Sequence, residues 1–302
     1  MPPTQPQFKN KRIAIFGAGW LGTEIAKEAL RMGMEVTTLT RNPETSARLR
    51  DFGVKNPLAA KLTASEWHGE VPREQDFVVN CVSSSGNGLE GYRESYVLGN
   101  RSILEWAGKT HPASFVYTGS TSVYTQTDGS TVDESSPTPD PSPSGAILLE
   151  AEALLEGHSP FRSTNVLRLG GLYGPGRHYL LNQLREGSGE LAGRGDLLLN
   201  LLHLEDAVSA VFAALANGLE GFQTFNATDG NPSTKQEIVS WMAGKLGMPT
   251  PSFNPDATPA RSPIRQSRGT IPSRIVSNKK LREELRWEPK YPSFREGYEA
   301  LL

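Results

Sequence analysis

Apolar positions in this chain fall in short continuous runs separated by stretches of helical period, with glycine at many of the junctions. The segment "RIAIFGAGWLGTEIAKEALRMGMEVTTLTRN" is a β run, a glycine-rich turn, a helix-period stretch, Gly33, and a second β run ending at Thr40. That is one βαβ unit. "QDFVVNCVSS" is a third buried-strand run, followed by a helix over "YVLGNRSILEWAGKT", and "ASFVYTGSTSVY" is a further strand. "SPSGAILLEAEALL" opens a buried helix, with Ser142 at the cap and Pro143 at the first helical position. "STNVLRLGGLYGPG" follows as strand and loop, and "NLLHLEDAVSAVFAALANG" as a strand end and an amphipathic helix. "FQTFNATDGNPSTKQEIVSWMAGKLG" gives a strand, a turn and a helix capped by Ser233 or Thr234. Strands alternating with helices predict an α/β fold with a doubly wound parallel sheet. The Pro/Ser-rich stretches "DESSPTPDPSPSG" and "PSFNPDATPARSPIRQSRG" read as long surface loops.

Length and composition narrow the setting. A chain of 302 residues, 37% hydrophobic, buries a large core as one α/β domain or as a domain with a smaller lobe. A formal net charge of −2 gives no electrostatic reason to expect nucleic acid or an anionic membrane as partner. The single Cys81 excludes an intrachain disulfide framework and fits a reducing compartment. The five histidines (68, 111, 158, 178, 203) have no metal-ligand spacing, so no metal is expected. No apolar run approaches the roughly 20 residues that span a bilayer. "MPPTQPQFKNKR" lacks the apolar stretch of a signal peptide and reads as a polar tail. A cytoplasmic protein is the expectation.

The chemistry starts at "GAGWLG". Gly17, Gly19 and Gly22 stand in G-x-G-x-x-G spacing between a strand and a helix, the context in which that motif signals dinucleotide binding. Gly17 permits the tight turn, Gly19 lets the backbone approach a pyrophosphate, and Gly22 lets helix and strand pack closely. The helix N-terminus then offers N–H groups and positive potential to phosphate. An NAD-selective site wants a carboxylate at the end of the second strand, on the ribose 2′-hydroxyl. This strand ends Thr40-Arg41, a hydroxyl and a guanidinium suited to a 2′-phosphate, so NADP(H) is favoured over NAD(H). The competing reading of Arg41 is an ordinary solvated arginine.

With "FGAGWLG", "YTGSTSVY", "LRLGGLYGPGR", "LLHLEDAVSAV" and "SNKKLREELRWEPKYPSFREGYEALL", the chain resembles the extended short-chain dehydrogenase/reductases, the NAD(P)-dependent epimerase/dehydratase superfamily. The resemblance implies a Rossmann-type sheet with a small C-terminal substrate lobe. It sets a polar tail at 1–10, the cofactor domain at 11–173 completed by 198–228, and the small lobe at 174–197 and 229–302. It implies cofactor contacts from Gly17, Ala18, Gly19, Trp20, Leu21, Gly22, Thr40, Arg41, Cys81, Val82 and Ser83. Family chemistry uses a Ser or Thr, a Tyr four residues before a Lys, and an Asn. Aligning "SPSGAILLEAE" on the family pattern sets Ser144 at the Tyr position and Leu148 at the Lys position, while Tyr96 stands at the Asn position. Only Ser120 keeps its family residue. A serine hydroxyl is a far weaker acid than a phenol, so it does not replace the tyrosine chemically. The resemblance therefore narrows to the atypical branch, which contains reductases, isomerases and non-catalytic binding proteins.

Tyr96, Tyr124 and Tyr173 are the alternative proton donors, Tyr96 foremost, each set against a packing role. His203 with Asp206 reads as structural. Ser83 to Ser85 lack a partner for a hydrolase. Arg177, His178 and the cluster Arg261, Arg265, Arg268 and Arg274 are the residues for an anionic substrate, set against a solvated loop. The expectation is an NADP(H)-dependent oxidoreductase or epimerase-like enzyme acting on a small carbonyl or alcohol, monomeric or homodimeric. The alternative is a non-catalytic NADP(H) sensor or scaffold.

Overall fold

The computed structural model describes residues 6–84, 86, 88–109, 111–187, 189–257 and 271–302. It separates into two units: residues 1–120, 143–168 and 210–225, and residues 121–142, 169–209 and 226–302.

The first unit is built on seven strands: β1 (Arg12–Phe16), β2 (Glu35–Thr40), β3 (Asn56–Ala59), β4 (Phe77–Asn80), β5 (His111–Ser120), β6 (Phe161–Leu169) and β7 (Gly221–Ala227). Their order across the sheet is β7-β6-β5-β4-β1-β2-β3. The pairs β1–β2, β2–β3, β1–β4 and β4–β5 are parallel. This is the Rossmann-type doubly wound sheet. Its chain runs outward from β1 through β2 to β3, then restarts on the other side at β4. That reversal leaves a crevice beyond the strand ends between β1 and β4, where ligands of such sheets bind. The central strands are apolar almost throughout because parallel strands are covered on both faces, as the buried Ile13–Phe16 run shows.

Helix α1 (Trp20–Arg31) buries Leu21, Gly22, Ile25, Ala26 and Ala29 along one face. Asn42 caps α2 (Pro43–Asp51) by accepting from the Thr45 N–H at 2.8 Å, with Pro43 preset at the first position. After β4 come α3 (Gly88–Tyr92), a π-helical turn over Arg93–Leu98, and α4 (Gly99–Ala107). The expected buried helix is α5 (Pro143–His158), which starts at the predicted proline. The rings of Phe16, Trp67 and Trp106 meet at 4.8 to 5.9 Å, and both indoles donate to backbone carbonyls, Leu62 O and Val71 O. Within the stretch expected to be a polar tail, Phe8 is fully buried against Phe77 and Phe212 at 5.2 and 5.4 Å. One aromatic in a polar context carries too little periodicity to be read as core, yet its burial is worth about 1.5–3 kcal/mol.

The second unit packs α6 (Tyr179–Arg185), the start of α7 (Leu204–Ala216), α8 (Lys235–Leu246), α9 (Lys279–Leu285) and α10 (Phe294–Glu299) with short paired strands. Its core gathers Leu180, Leu181, Leu184, Ile238, Val239, Met242, Phe294 and Tyr298. Of the two predicted caps for α8, Thr234 is the one used. Its hydroxyl accepts from Glu237 N–H at 3.1 Å, and the Glu237 carboxylate accepts from Thr234 N–H at 2.7 Å. The Asp206 carboxylate accepts the backbone N–H groups of Lys290 and Tyr291, at 2.6 and 3.1 Å, tying the C-terminal segment to α7.

Candidate active site

The glycine-rich turn lies between β1 and α1, at the mouth of the crevice. Gly17 N–H and Ala18 N–H both donate to Leu39 O, at 2.9 and 3.1 Å, so the loop is tied to the end of β2. Gly17 has φ +91°, and a Cβ there would come within 2.5 Å of Val82 N. Gly22 is barred from a side chain by Gly17 O at 2.5 Å and Cys81 Sγ at 2.9 Å. Those two glycines are demanded by the fold itself. Gly19 differs: its nearest neighbour in the direction of a Cβ is 3.9 Å away. The cap position of α1 therefore has no side chain and open space beside it, and the first-turn N–H groups of Leu21 and Gly22 precede the first internal helix bond, from Thr23 to Gly19 O.

The β4 side is held by a buried amide pair. Asn80 Nδ2 donates to Asn100 Oδ1 at 2.6 Å, and Asn80 Oδ1 accepts from Val82 N–H at 3.2 Å. Both asparagines are fully buried, so the segment 81–83 is fixed from beneath. Cys81 is buried, its thiol directed at Gly17 O at 3.3 Å, and burial pushes that thiol up to about 12. It is no nucleophile.

A cavity of about 240 Å³ opens here, lined by Gly17, Gly19, Thr40, Arg41, Val82 and Ser83 from the sequence reading. Asn42, Thr45, Lys61, Leu62, Thr63, Glu94 and Ser95 also line it. Ligand sites commonly measure about 300–1,000 Å³, so this one suits part of a dinucleotide. A turn that excludes side chains, a helix start with open N–H groups and a cavity carrying cationic side chains fit a dinucleotide phosphate. Lys61 and Glu94 escaped the sequence reading. Lys61 sits in "LAAKLTA", with no motif of its own, and Glu94 comes from the π-helical turn, a geometry no periodicity predicts.

Ser120 ends β5, half-buried. Ser144 and Leu148 are both buried on α5, and the next residue of that stripe is Glu152. Its carboxylate meets Arg168 at 2.6 Å, with the guanidinium Nε a further 3.1 and 3.2 Å from its two oxygens. The Tyr96 hydroxyl accepts from Ser84 N–H at 3.2 Å, and its ring lies 5.2 Å from Tyr92 in an edge contact. Tyr117, which the sequence did not single out, is fully buried, with a hydroxyl that has no hydrogen-bond partner among the described residues. Burial, with Tyr96 and Glu152 nearby, raises that phenol well above its ordinary range.

Other candidates belong to the second unit. Tyr124 is buried and donates to Asn226 Oδ1 at 2.8 Å. Tyr173 stacks on Tyr298 at 4.7 Å, and burial and then Asp229 raise its phenol. His203 lies 4.0 Å from the Tyr291 ring, its basicity lowered by burial, with Nδ1 accepting from Glu205 N–H. His178 Nδ1 lies 3.3 Å from Gly174 O, and Arg177 closes a backbone turn with Gly174. Arg274 is buried and donates to Thr121 O at 2.7 Å. Ser85, Arg261, Arg265 and Arg268 lie outside the described residues. Among the described residues no three His, Cys, Asp or Glu side chains gather as a metal site, and no helix is long and apolar enough to cross a membrane.

The sequence profile of the NAD dependent epimerase/dehydratase family matches residues 13–227, and the chain belongs to that family. It is 28% identical over 287 residues to Protein YeeZ of Escherichia coli K12, covering 93% of this chain and 97% of that one. It is 32% identical over 167 residues to a 3-diazoavenalumate denitrifying reductase of Streptomyces, covering 52% and 54% of the two chains. Among solved structures, the dTDP-glucose 4,6-dehydratase of Bacillus anthracis in complex with NAD superposes with a TM-score of 0.79 at 21% identity, over 96% of this chain and 94% of that one.

Proposed function

We propose that the protein binds NADP(H) in the β1–β4 crevice and is an oxidoreductase or epimerase-like enzyme for a small carbonyl or alcohol compound, sugar-derived and anionic substrates included. The observation that carries this reading is the cavity over the glycine-rich turn with Arg41 at its edge, where an NAD-selective site has a carboxylate. The family relationship and a relative named as a reductase support enzymatic redox chemistry. When bound, the nicotinamide supplies hydride transfer. In this reading Ser120 donates a hydrogen bond to the reacting oxygen. Tyr96 is the proton donor with the best-defined setting, its hydroxyl oxygen accepting from the Ser84 N–H at 3.2 Å. A water is the other donor. The protein works in the cytoplasm as a monomer or homodimer.

The buried Ser144 and Leu148 favour a second reading, an NADP(H)-binding sensor or scaffold without turnover, since neither side chain transfers a proton near neutral pH. The two readings separate in one experiment. Fluorescence titration with NADPH and NADH establishes binding, and a screen of carbonyl substrates follows NADPH oxidation. Turnover that falls in Ser120→Ala and Tyr96→Phe with cofactor affinity unchanged supports the enzyme. Tight NADPH binding with no turnover across sugar-derived and anionic carbonyls supports the sensor.

A further inference from the structure

The lining of the cavity contains a second cation whose place in the sheet gives it a role. Arg41 follows β2 and Lys61 follows β3, and these strands are neighbours in parallel register, with Thr40 opposite Ala59 and Ala60 N–H donating to Thr40 O at 2.9 Å. Adjacent strands lie about 4.8 Å apart, so both residues leave the sheet from the same corner, and both line the one cavity. Among the described residues neither has an ion-pair or hydrogen-bond partner. Beside them stands the start of α2, where Asn42 and Thr45 also line the cavity.

The lining holds one carboxylate. Glu94 comes from the π-helical turn after β4. Two of the three charged side chains in the lining are therefore cations that leave adjacent strands, and the end of β2 is where the ribose 2′ position is read in these folds. We propose that Lys61 is the second half of a 2′-phosphate clamp with Arg41, and that selection of NADP(H) over NAD(H) depends on both. This rests on the cofactor reading given above. Two cations from separate strands engage the 2′-phosphate from two directions, whereas the flexible lysine alone supplies charge without orientation.

The test is a fluorescence titration of the full chain with NADPH and NADH, and a competition with 2′-phospho-ADP-ribose and ADP-ribose, for the native protein, Lys61→Ala, Lys61→Arg and Arg41→Ala. Lys61 is exposed, so the substitutions leave the core intact. The expected result is a loss of about ten- to hundredfold in affinity for NADPH and 2′-phospho-ADP-ribose in Lys61→Ala, with NADH and ADP-ribose unchanged. Lys61→Arg keeps most of the preference. A native protein that prefers NADPH while Lys61→Ala retains that preference overturns the clamp and leaves the cofactor reading standing. Equal loss toward both ligands also overturns it, since Lys61 then touches the shared adenosine. A native protein that binds NADH as tightly as NADPH overturns both.

Discussion

The three glycines of the turn make separable demands, and their alanine variants test the cofactor reading. At Gly17 an alanine must hold φ +91° and place its Cβ 2.5 Å from Val82 N and 2.6 Å from Val82 Cα. The left-handed backbone costs about 1–2 kcal/mol, and the forced shift of β4-side backbone adds about 1–3 kcal/mol. At Gly22 the obstacle is again backbone, Gly17 O at 2.5 Å, and the cost is about 1–3 kcal/mol. At Gly19 the nearest atom in the direction of a Cβ is 3.9 Å away, so a methyl group meets no close contact. The lower entropy of the unfolded chain offsets part of any residual strain, and the net change stays within about 1 kcal/mol. Thermal unfolding therefore drops by several degrees for Gly17→Ala and Gly22→Ala, at about 2–4 °C per kcal/mol, and barely moves for Gly19→Ala. NADPH binding behaves in the opposite sense for Gly19→Ala. Its methyl group keeps the pyrophosphate from the helix start, removing charge-assisted bonds worth about 1.5–3 kcal/mol, or ten- to hundredfold in affinity. A Gly19→Ala protein that melts as low as Gly17→Ala, or that binds NADPH with native affinity, refutes the assignment of this turn as the dinucleotide seat.

Further outcomes follow from buried charge. Glu152 and Arg168 have side chains only 7% and 9% exposed, so Glu152→Ala takes the carboxylate from a buried guanidinium and costs about 3–5 kcal/mol in urea unfolding. The joint Glu152→Leu/Arg168→Met variant returns most of that loss, and a single-variant cost under about 1 kcal/mol contradicts the argument. Asp229 is 4% exposed, and burial, with Asp206 and Glu296 nearby, pushes its carboxyl from an ordinary value of 3.8 up to about 8, against the Asn231 N–H that stabilises the charge. The native state then holds a proton that the unfolded chain releases between about pH 4 and 8, so the contribution of this group is present at low pH and falls by up to about 1.4 kcal/mol per unit as pH rises. Asp229→Asn keeps an oxygen for Asn231 and removes this slope. Its stability relative to the native protein should rise from pH 5 to pH 8, and a constant difference across that range would contradict the burial argument.

Much of the scaffold is legible in the sequence. The continuous apolar runs marked β1 and β4, the proline marked the start of α5, and the Ser233-Thr234 pair marked the start of α8. These are local signals, written in the run or spacing of a few consecutive residues. The glycine spacing likewise located the turn, because the bend at Gly17 and the approach of Gly22 to Gly17 O are made within a few residues of β1, while Val82, Cys81 and Leu39, which complete the cradle, come from distant segments. The same locality hid the rest. Phe8 is core only because Phe77 and Phe212 cover it, and the Asn80–Asn100 pair that holds the 81–83 segment joins residues 20 apart. Lys61 and Glu94 carry no motif, and only the pairing of β3 with β2 brings Lys61 to the Arg41 corner. Glu152 looks like an ordinary helix surface residue until Arg168, from β6, closes over it. Burial, desolvation and charge pairing depend on which distant segments meet, and periodicity along a chain holds no record of that.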